Sequence, residues 1–358
     1  MKKLSEKEWK PKKLTDDFRP VRGRESNMAM LELGNVPLIS AKNGSNGVKG
    51  FVNTPKKLVD GGCITLNNDG DGGAGLAYYQ SAEMALDTHV TALIPRTDMK
   101  PAAMLFASEC ISELHGFFGH GLSISNKRVK NIKVMFPVTD SGEPDYDYMA
   151  EYTKQMREKL LAKYREYAEK RIAELGEEVE IPALSEKEWK AFSVSDLFSI
   201  QLARGDNQLA SAECGQTPLV SAGTKSNGVI GFITNGDDGS LFTGDYITVD
   251  MFGQTFYQPF SFYAVSHGRL NMLSNDDIPA SAKSFIAVCT NVQNKDKYSY
   301  NQMCSSKRLA RQKLMLPVTD SDEPDYEYME QYAKNMMLRK YKQYMTFLEK
   351  KSQKQTNI

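Results

Sequence analysis

The stretch PLISAKNGSNGVKGF, residues 37–51, returns in nearly the same form as PLVSAGTKSNGVIGF, residues 218–232. In both copies Ser-Asn-Gly lies between two apolar runs. Asn-Gly is a strong signal for a tight turn between antiparallel strands, because both residues tolerate positive φ. The sequence therefore predicts the same β-hairpin twice in one chain.

The repeat extends well beyond this hairpin. LSEKEWK at residues 4–10 recurs unchanged at residues 184–190, and residues 127–149 resemble residues 307–329. Each anchor returns about 180 residues later, a period far longer than the roughly 20–50 residues of a solenoid unit. The chain of 358 residues is therefore predicted to hold two copies of one mixed α/β (α+β) domain.

The middles of the two copies, residues 52–126 and 233–306, share only short echoes. Copies that agree at their ends and differ in the middle indicate one scaffold that presents two different surfaces, since variable loops on a rigid framework often carry function. Drift between old duplicates is the alternative. Two pairs of residues match within the divergent middles. Gln80 and Gln258 are predicted to support the scaffold, and His89 and His267 are predicted to be packed or to face phosphates.

Each copy is followed by an apolar stripe at spacings of three to five residues, the pattern of a long amphipathic helix. Each stripe needs a partner, and we predict that the two helices pack together as an antiparallel coiled coil. Ordinary bundle helices without a spacer role are the alternative. The predicted segments are domain 1 at 1–144, helix 1 at 145–178, domain 2 at 179–324 and helix 2 at 325–358.

Composition sets limits on the class of protein. Hydrophobic residues make up 41% and charged residues 25%, as in globular proteins, and no apolar run is long enough to cross a membrane. The five cysteines are scattered, which argues against a disulfide framework and a zinc site and leads us to expect a cytoplasmic protein. The 45 basic and 45 acidic residues cancel, so DNA binding would require that the charges are segregated.

Together these segments resemble the specificity subunits of type I restriction–modification systems and of the related BcgI-like type IIB systems. The resemblance covers essentially the whole chain, and the tandem order of its motifs is more specific than any one of them. It implies that each domain is a target-recognition domain for one half of a split, asymmetric site in double-stranded DNA. It also implies that the helices set the spacing and dock methyltransferase or methyltransferase–nuclease subunits.

The resemblance assigns roles to particular residues. Basic side chains can contact phosphates, and the predicted DNA contacts are Lys42, Asn43, Lys127, Arg128, Lys130, Lys133, Lys225, Lys307, Arg308, Arg311 and Lys313. A solvated surface is the alternative for these basic segments. The predicted partner-binding residues are Met149, Tyr152, Met156, Met329, Tyr332 and Met336.

No catalytic residue, metal or cofactor is expected in this chain, and S-adenosylmethionine is expected in the partner methyltransferase. FFGHG at residues 117–121 formally fits a methyltransferase loop, but the second copy lacks it and the chain has no catalytic tetrapeptide of the N/D-P-P-Y/F type. An adaptor or decoy protein of a defence system on the same fold, which no longer reads DNA, is the main alternative. An enzyme with an unrecognised active site is a more distant one.

Overall fold

The repeat in the sequence is a repeat of structure. The structure, a computed structural model, describes residues 1–26, 31–53, 55–70, 73–119, 121–237, 240–265 and 270–356, with side chains through residue 350. It divides into a first unit, Met1–Tyr164, and a second unit, Arg165–Ile358. The boundary falls within the first long helix. The domain boundaries predicted above remain a prediction.

The first unit contains three small sheets, with strand orders β1-β10, β2-β9-β6-β7 and β4-β3-β8-β5. Among the described strand pairs of this unit, only β3 and β8 run parallel. Its strands are β1 Trp9–Lys13, β2 Phe18–Arg22, β3 Leu33–Ile39, β4 Val48–Val52, β5 Leu58–Val59, β6 Cys63–Asn67, β7 Ala77–Gln80, β8 Met84–Leu86, β9 Val90–Pro95 and β10 Lys133–Pro137. Its helices are α1 Leu14–Asp17, α2 Pro101–Ser112, α3 Asn126–Val129 and α4 Tyr146–Leu175, which continues into the second unit.

The second unit repeats this topology strand for strand, with orders β11-β20, β12-β19-β16-β17 and β14-β13-β18-β15. Its strands are β11 Trp189–Ser193, β12 Ser199–Leu202, β13 Cys214–Val220, β14 Val229–Ile233, β15 Leu241–Phe242, β16 Tyr246–Val249, β17 Thr255–Gln258, β18 Phe262–Ala264, β19 Asn271–Ser274 and β20 Lys313–Pro317. Its helices are α5 Val194–Leu197, α6 Ala280–Asn294, α7 Ser306–Ala310 and α8 Tyr326–Thr356. The divergent middles therefore share a framework of strands and helices despite their different sequences.

The central helix of each unit packs on the four-stranded sheet that ends in β7 or β17. In the first unit Met104 and Ile111 of α2 lie in one buried cluster with Ile64 and Phe136. In the second unit Ile286 of α6 occupies the same kind of cluster. Proline precedes or opens both helices, where its missing N–H costs nothing.

A carboxylate fixes the start of each long helix. Asp145 accepts a hydrogen bond from the backbone N–H of Tyr148 at 3.0 Å, and Lys7 reaches the same carboxylate at 2.7 Å. Asp325 and Lys187 repeat this arrangement in the second unit. Burial raises the pKa of Asp145, but the Lys7 and Tyr148 hydrogen bonds outweigh it and leave the pKa below its ordinary value. The opening segment of each copy is thus tied to its helix.

Candidate nucleic-acid and partner interfaces

The repeated hairpin is part of the framework. Ser45 and Asn46 adopt φ of 51° and 53°, and the second copy repeats these angles within a few degrees. The buried carboxamide of Gln80 donates to the carbonyl of Asn46 at 2.9 Å, and Gln258 donates to Asn227 at 2.8 Å. Gln80 and Gln258 therefore support the hairpin, as predicted.

The three hairpin residues predicted to contact DNA are placed unequally. Lys42 is half-buried, and its ammonium donates to the carbonyl of Val48 at 3.2 Å. Asn43 and Lys225 are exposed. Lys42 therefore helps to close its own turn, whereas Asn43 and Lys225 have side chains open to solvent.

Each basic segment begins as a short helix, which the sequence interpretation did not predict. Ser125 caps α3 by accepting the backbone N–H of Arg128 at 3.2 Å, and Ser305 caps α7 through Arg308 at 3.4 Å. Val129 is buried beneath α3, and Leu309 takes its place beneath α7. Both helices follow the pattern Ser-x-Lys-Arg-apolar, at residues 125–129 and 305–309. The serine is a preferred N-cap residue, so this pattern could have revealed both helices.

The basic side chains of these segments are exposed. They are Lys127, Arg128, Lys130, Lys133, Lys307, Arg308, Arg311 and Lys313. Arg128 and Arg308 each also donate to a backbone carbonyl five residues earlier, at 2.6 and 2.9 Å, and Lys313 donates to the Ser193 hydroxyl at 2.8 Å. Among the described residues, no carboxylate lies within ion-pair distance of any of the eight. In the first unit Lys133 also stands directly opposite Lys13 in the β1-β10 ladder, where like charges repel. These matched clusters are suited to binding an anion.

An apolar groove of about 860 Å³ lies beside the start of α4 in the first unit. Trp9 stacks on Phe106 with centroids 6.2 Å apart, and Phe106 meets Tyr152 edge-on at 5.6 Å. Met156, 41% exposed, lines the same groove. Cys110 also lines it, and burial raises the pKa of that thiol to about 12.

The second unit builds the same aromatic series. Trp189 stacks on Phe285 at 6.4 Å, and Phe285 meets Tyr332 at 5.4 Å. Met336 is 38% exposed. Tyr152 and Met156 therefore share one groove in the first unit. In the second unit Tyr332 holds the place of Tyr152 in the aromatic series, and the exposed Met336 follows it one helical turn later on α8.

Met149 and Met329 do not belong to these surfaces. Both are fully buried in the clusters formed by α2 and α6, so the prediction that they bind a partner is wrong for this structure. An apolar stripe on a helix does not by itself show which of its members face the helix's own domain.

Within the second unit, the end of α4 packs antiparallel to α8. Tyr167 contacts Tyr341 with hydroxyl groups 3.2 Å apart. Farther along, Glu178 pairs with Arg339, and the backbone of Val179 exchanges two hydrogen bonds with Asn335. As the first segment advances from residue 167 to residue 179, its partners on α8 move back from residue 341 to residue 335. The two segments therefore run in opposite directions. Gly176, at φ 78°, ends α4 and allows this contact.

His89 and His267 are the remaining matched residues. His89 contacts Asp69 at 2.7 Å through Nδ1, and its side chain is 56% exposed, so it is not packed in the core. His267 lies outside the described residues, as does His120 of the FFGHG segment. In the part of the chain that the structure describes, no group of three or more His, Cys, Asp or Glu residues could hold a metal ion.

The model of the type I restriction modification DNA specificity domain matches residues 6–163 and 186–344, one match in each unit. The chain belongs to this family. It is a restriction–modification specificity subunit with two target-recognition domains. No helix in the described ranges is long and apolar enough to span a membrane.

Individual relatives in the family are distant. The specificity subunit S.BcgI of a type II restriction enzyme from Heyndrickxia coagulans is 25% identical over 336 residues, which cover 90% of this chain and 93% of that protein. The type I S subunit from M. genitalium is 12% identical with a TM-score of 0.49, over 99% of this chain and 95% of that chain. The HsdS subunit of Thermoanaerobacter tengcongensis is 12% identical with a TM-score of 0.31, over 96% of this chain and 91% of that chain.

Proposed function

We propose that the chain directs a partner methyltransferase or methyltransferase–nuclease to an asymmetric bipartite target in double-stranded DNA. Each unit would read one half of the target. The support is a shared framework whose connections differ in sequence, because identical readers would not need different loops. Membership in the specificity family favours this function over an adaptor that no longer reads DNA.

The single observation that carries the proposal is the pair of unpaired basic clusters on α3 and α7. Some lysines elsewhere in the chain pair with carboxylates, as Lys7 does with Asp145 and Lys190 does with Asp322. The clusters place exposed positive charge without a carboxylate partner at matched positions of the two units, in a chain whose net charge is zero. Phosphate contacts from Lys and Arg fix a protein on a duplex but carry no sequence information, so bases would be read by the neighbouring connections.

The partner would dock on the matched aromatic surfaces. Tyr152 and Met156 in the first unit, and Tyr332 and Met336 in the second, combine exposed apolar area with rings held by their neighbours. Partly exposed aromatic and methionine side chains are enriched where protein partners meet. Since the surface occurs twice, we propose that each unit binds one copy of the same partner.

Chemistry and S-adenosylmethionine would reside in that partner. Both matched regions of the chain are DNA specificity domains. The role of this chain would then be to position the partner's active site over a chosen base. Positioning alone can accelerate a reaction strongly, because it converts a bimolecular encounter into an effectively intramolecular one.

Reconstitution with the partner methyltransferase tests the proposal. The wild-type complex should bind and methylate one bipartite sequence. Reversing the charge with Lys127→Glu/Arg128→Glu should weaken binding to every duplex, whatever its sequence. The slope of log K against log salt concentration should become less steep by about 0.9 for each phosphate contact that is lost. Lys154→Glu, an exposed cation on α4 outside the clusters, is the control.

Two results would contradict the proposal. A wild-type complex that binds its partner but shows no sequence preference would indicate an adaptor. Methylation by this chain alone would indicate an enzyme.

A further inference from the structure

On the segment between its central helix and its basic helix, each recognition unit displays one aromatic ring that is largely exposed among the described residues. Phe117, in residues 113–125, is 72% exposed, and Tyr300, in residues 295–305, is 74% exposed. The two segments differ in length and sequence. Single exposed apolar side chains are common on proteins, so the location of these rings, and not their exposure alone, is informative.

Both segments are held firmly by the rest of their units. In the first unit His115 Nδ1 contacts the carbonyl of Ala74 at 2.9 Å, and a Cβ at Gly75 would lie 2.7 Å from the backbone of Leu114. The ring of Phe117 is therefore presented by a segment that packs against the β6–β7 connection at Ala74 and Gly75.

The second unit anchors its segment with different residues. The Tyr298 hydroxyl donates to Gln312 Oε1 at 2.7 Å, and the backbone N–H of Cys304 donates to Met251 at 2.8 Å. Tyr300 itself meets Phe252 edge-on, with centroids 5.1 Å apart. The same outcome, an exposed ring on a supported segment, thus arises from unrelated contacts.

Basic side chains lie beside the first ring in space and close to the second ring in the sequence. Phe117 lines a surface depression of about 900 Å³ together with Lys127, Arg128 and Lys133. Tyr300 lies on the segment that leads into α7, which carries Lys307 and Arg308. On its other side Phe117 borders the apolar groove of the first unit, which Glu109 and Glu113 also line. Unpaired cations favour a polyanion over an apolar protein surface, because the cations would otherwise be desolvated without a partner.

We propose that Phe117 and Tyr300 each stack on a base in one half-site of the DNA target, wedging into a base step while the adjacent cations hold the phosphates. This inference rests on the proposed function. Apolar and aromatic wedges unstack base steps in other DNA-binding proteins. Aromatic rings stack on any base, so two readers with different specificities can use the same device.

The test uses the full chain with its partner methyltransferase and a duplex carrying the target mapped by sequencing of modified bases. 2-Aminopurine is placed in turn at half-site positions other than the methylated base, and its fluorescence reports local unstacking. Phe117→Ala should abolish the signal at a step of one half-site and weaken binding about tenfold, and Tyr300→Ala should do so at the other. Phe117→Tyr and Tyr300→Phe should retain both properties.

The controls separate the possible outcomes. Each alanine variant should leave the 2-aminopurine signal of the opposite half-site unchanged. Phe51→Ala, which removes a 52% exposed ring on β4, should leave the signals of both half-sites unchanged. Wild-type fluorescence and affinity in both alanine variants would overturn the inference. So would weaker association with the methyltransferase without DNA, which would assign the rings to the partner interface. If the wild-type complex itself shows no sequence preference, the proposed function fails instead.

Discussion

The two units fill one core position with different chemistry. Two residues before the stacked ring of α2, the first unit has Met104, and two residues before the equivalent ring of α6 the second has Lys283; each is 1% exposed. The Lys283 ammonium contacts Asp245 at 2.6 Å. Asp245 adopts φ 62° directly before β16, where the first unit has Gly62 at φ 76° before β6.

The two differences are therefore one coupled exchange. A lysine in the core is tolerated only because a carboxylate replaces a glycine at the neighbouring turn, where Tyr257 also donates to it at 2.9 Å. The backbone around the exchange is the same. The backbone N–H of Gly62 donates to the carbonyl of Gln80, and the N–H of Asp245 donates to the carbonyl of Gln258, the glutamine that supports the hairpin of its own unit. The framework thus constrains volume and hydrogen bonding more than residue identity, and its connections are free to diverge.

The largest effect is expected from changing the distance between the units. Inserting four residues into α4 after residue 157 lengthens the helix by about 6 Å while nearly restoring its face. The spacing between half-sites should then increase by about two base pairs, and affinity for the original target should fall by about 100-fold or more. Sequencing of modified bases measures the new spacing. An unchanged spacing would show that the helices do not set it.

The coupled exchange can be reversed in the second unit. Lys283→Ala should lower the free energy of unfolding by about 3 kcal/mol, mainly because it leaves a cavity in the core. The loss of the ion pair contributes less, since the Asp245 side chain is half-exposed and keeps its hydrogen bond from Tyr257. Lys283→Met together with Asp245→Gly, which copies the first unit, should stay within about 1 kcal/mol of wild type. Denaturation followed by Trp189 fluorescence in a Trp9→Phe background isolates this unit. Additive losses in the double variant would refute the coupling.

The matched aromatic surfaces should behave as two equivalent partner sites. Met156→Glu should weaken partner binding at one site by about 2 kcal/mol, and Met336→Glu should do the same at the other. Calorimetric titration of each variant should show one strong and one weak site. Leu160→Glu, also exposed on α4, serves as the control. Equal binding at both sites in either variant would place the partner elsewhere.

The smallest effect is expected at the start of α4. Asp145→Asn should cost about 1 kcal/mol at neutral pH, since it weakens a helix cap and an ion pair. The folded-state pKa of Asp145 is lowered. Its contribution is therefore present above the unfolded-state pKa and is lost as pH falls through the folded-state pKa. Denaturation followed by Trp9 fluorescence in a Trp189→Phe background measures this contribution. The free energies of unfolding of wild type and variant should converge as pH falls below about 4. A constant difference at all pH values would exclude this carboxylate as the cause.

The sequence predicted the features that repeat or that have a strong local period. Asn46 and Asn227 marked the hairpins, and the stripes through Tyr152 and Tyr332 marked both long helices. It did not predict that residues 52–126 and 233–306 share every strand, because core volume can be filled by residues as unlike as Met104 and Lys283. Nor did it separate buried Met149 from exposed Met156, since both lie on one stripe and only tertiary packing distinguishes them.

Exchanging the middles within one chain tests the central claim most directly. Residues 52–126 are replaced by residues 233–306, which carry the same strands and end at the same basic helix. Modified-base sequencing of a host carrying this chain and its partner should then reveal two copies of the second half-site at the original spacing. A target that keeps its original first half, or in which the second half changes, would contradict the assignment of one half-site to each unit.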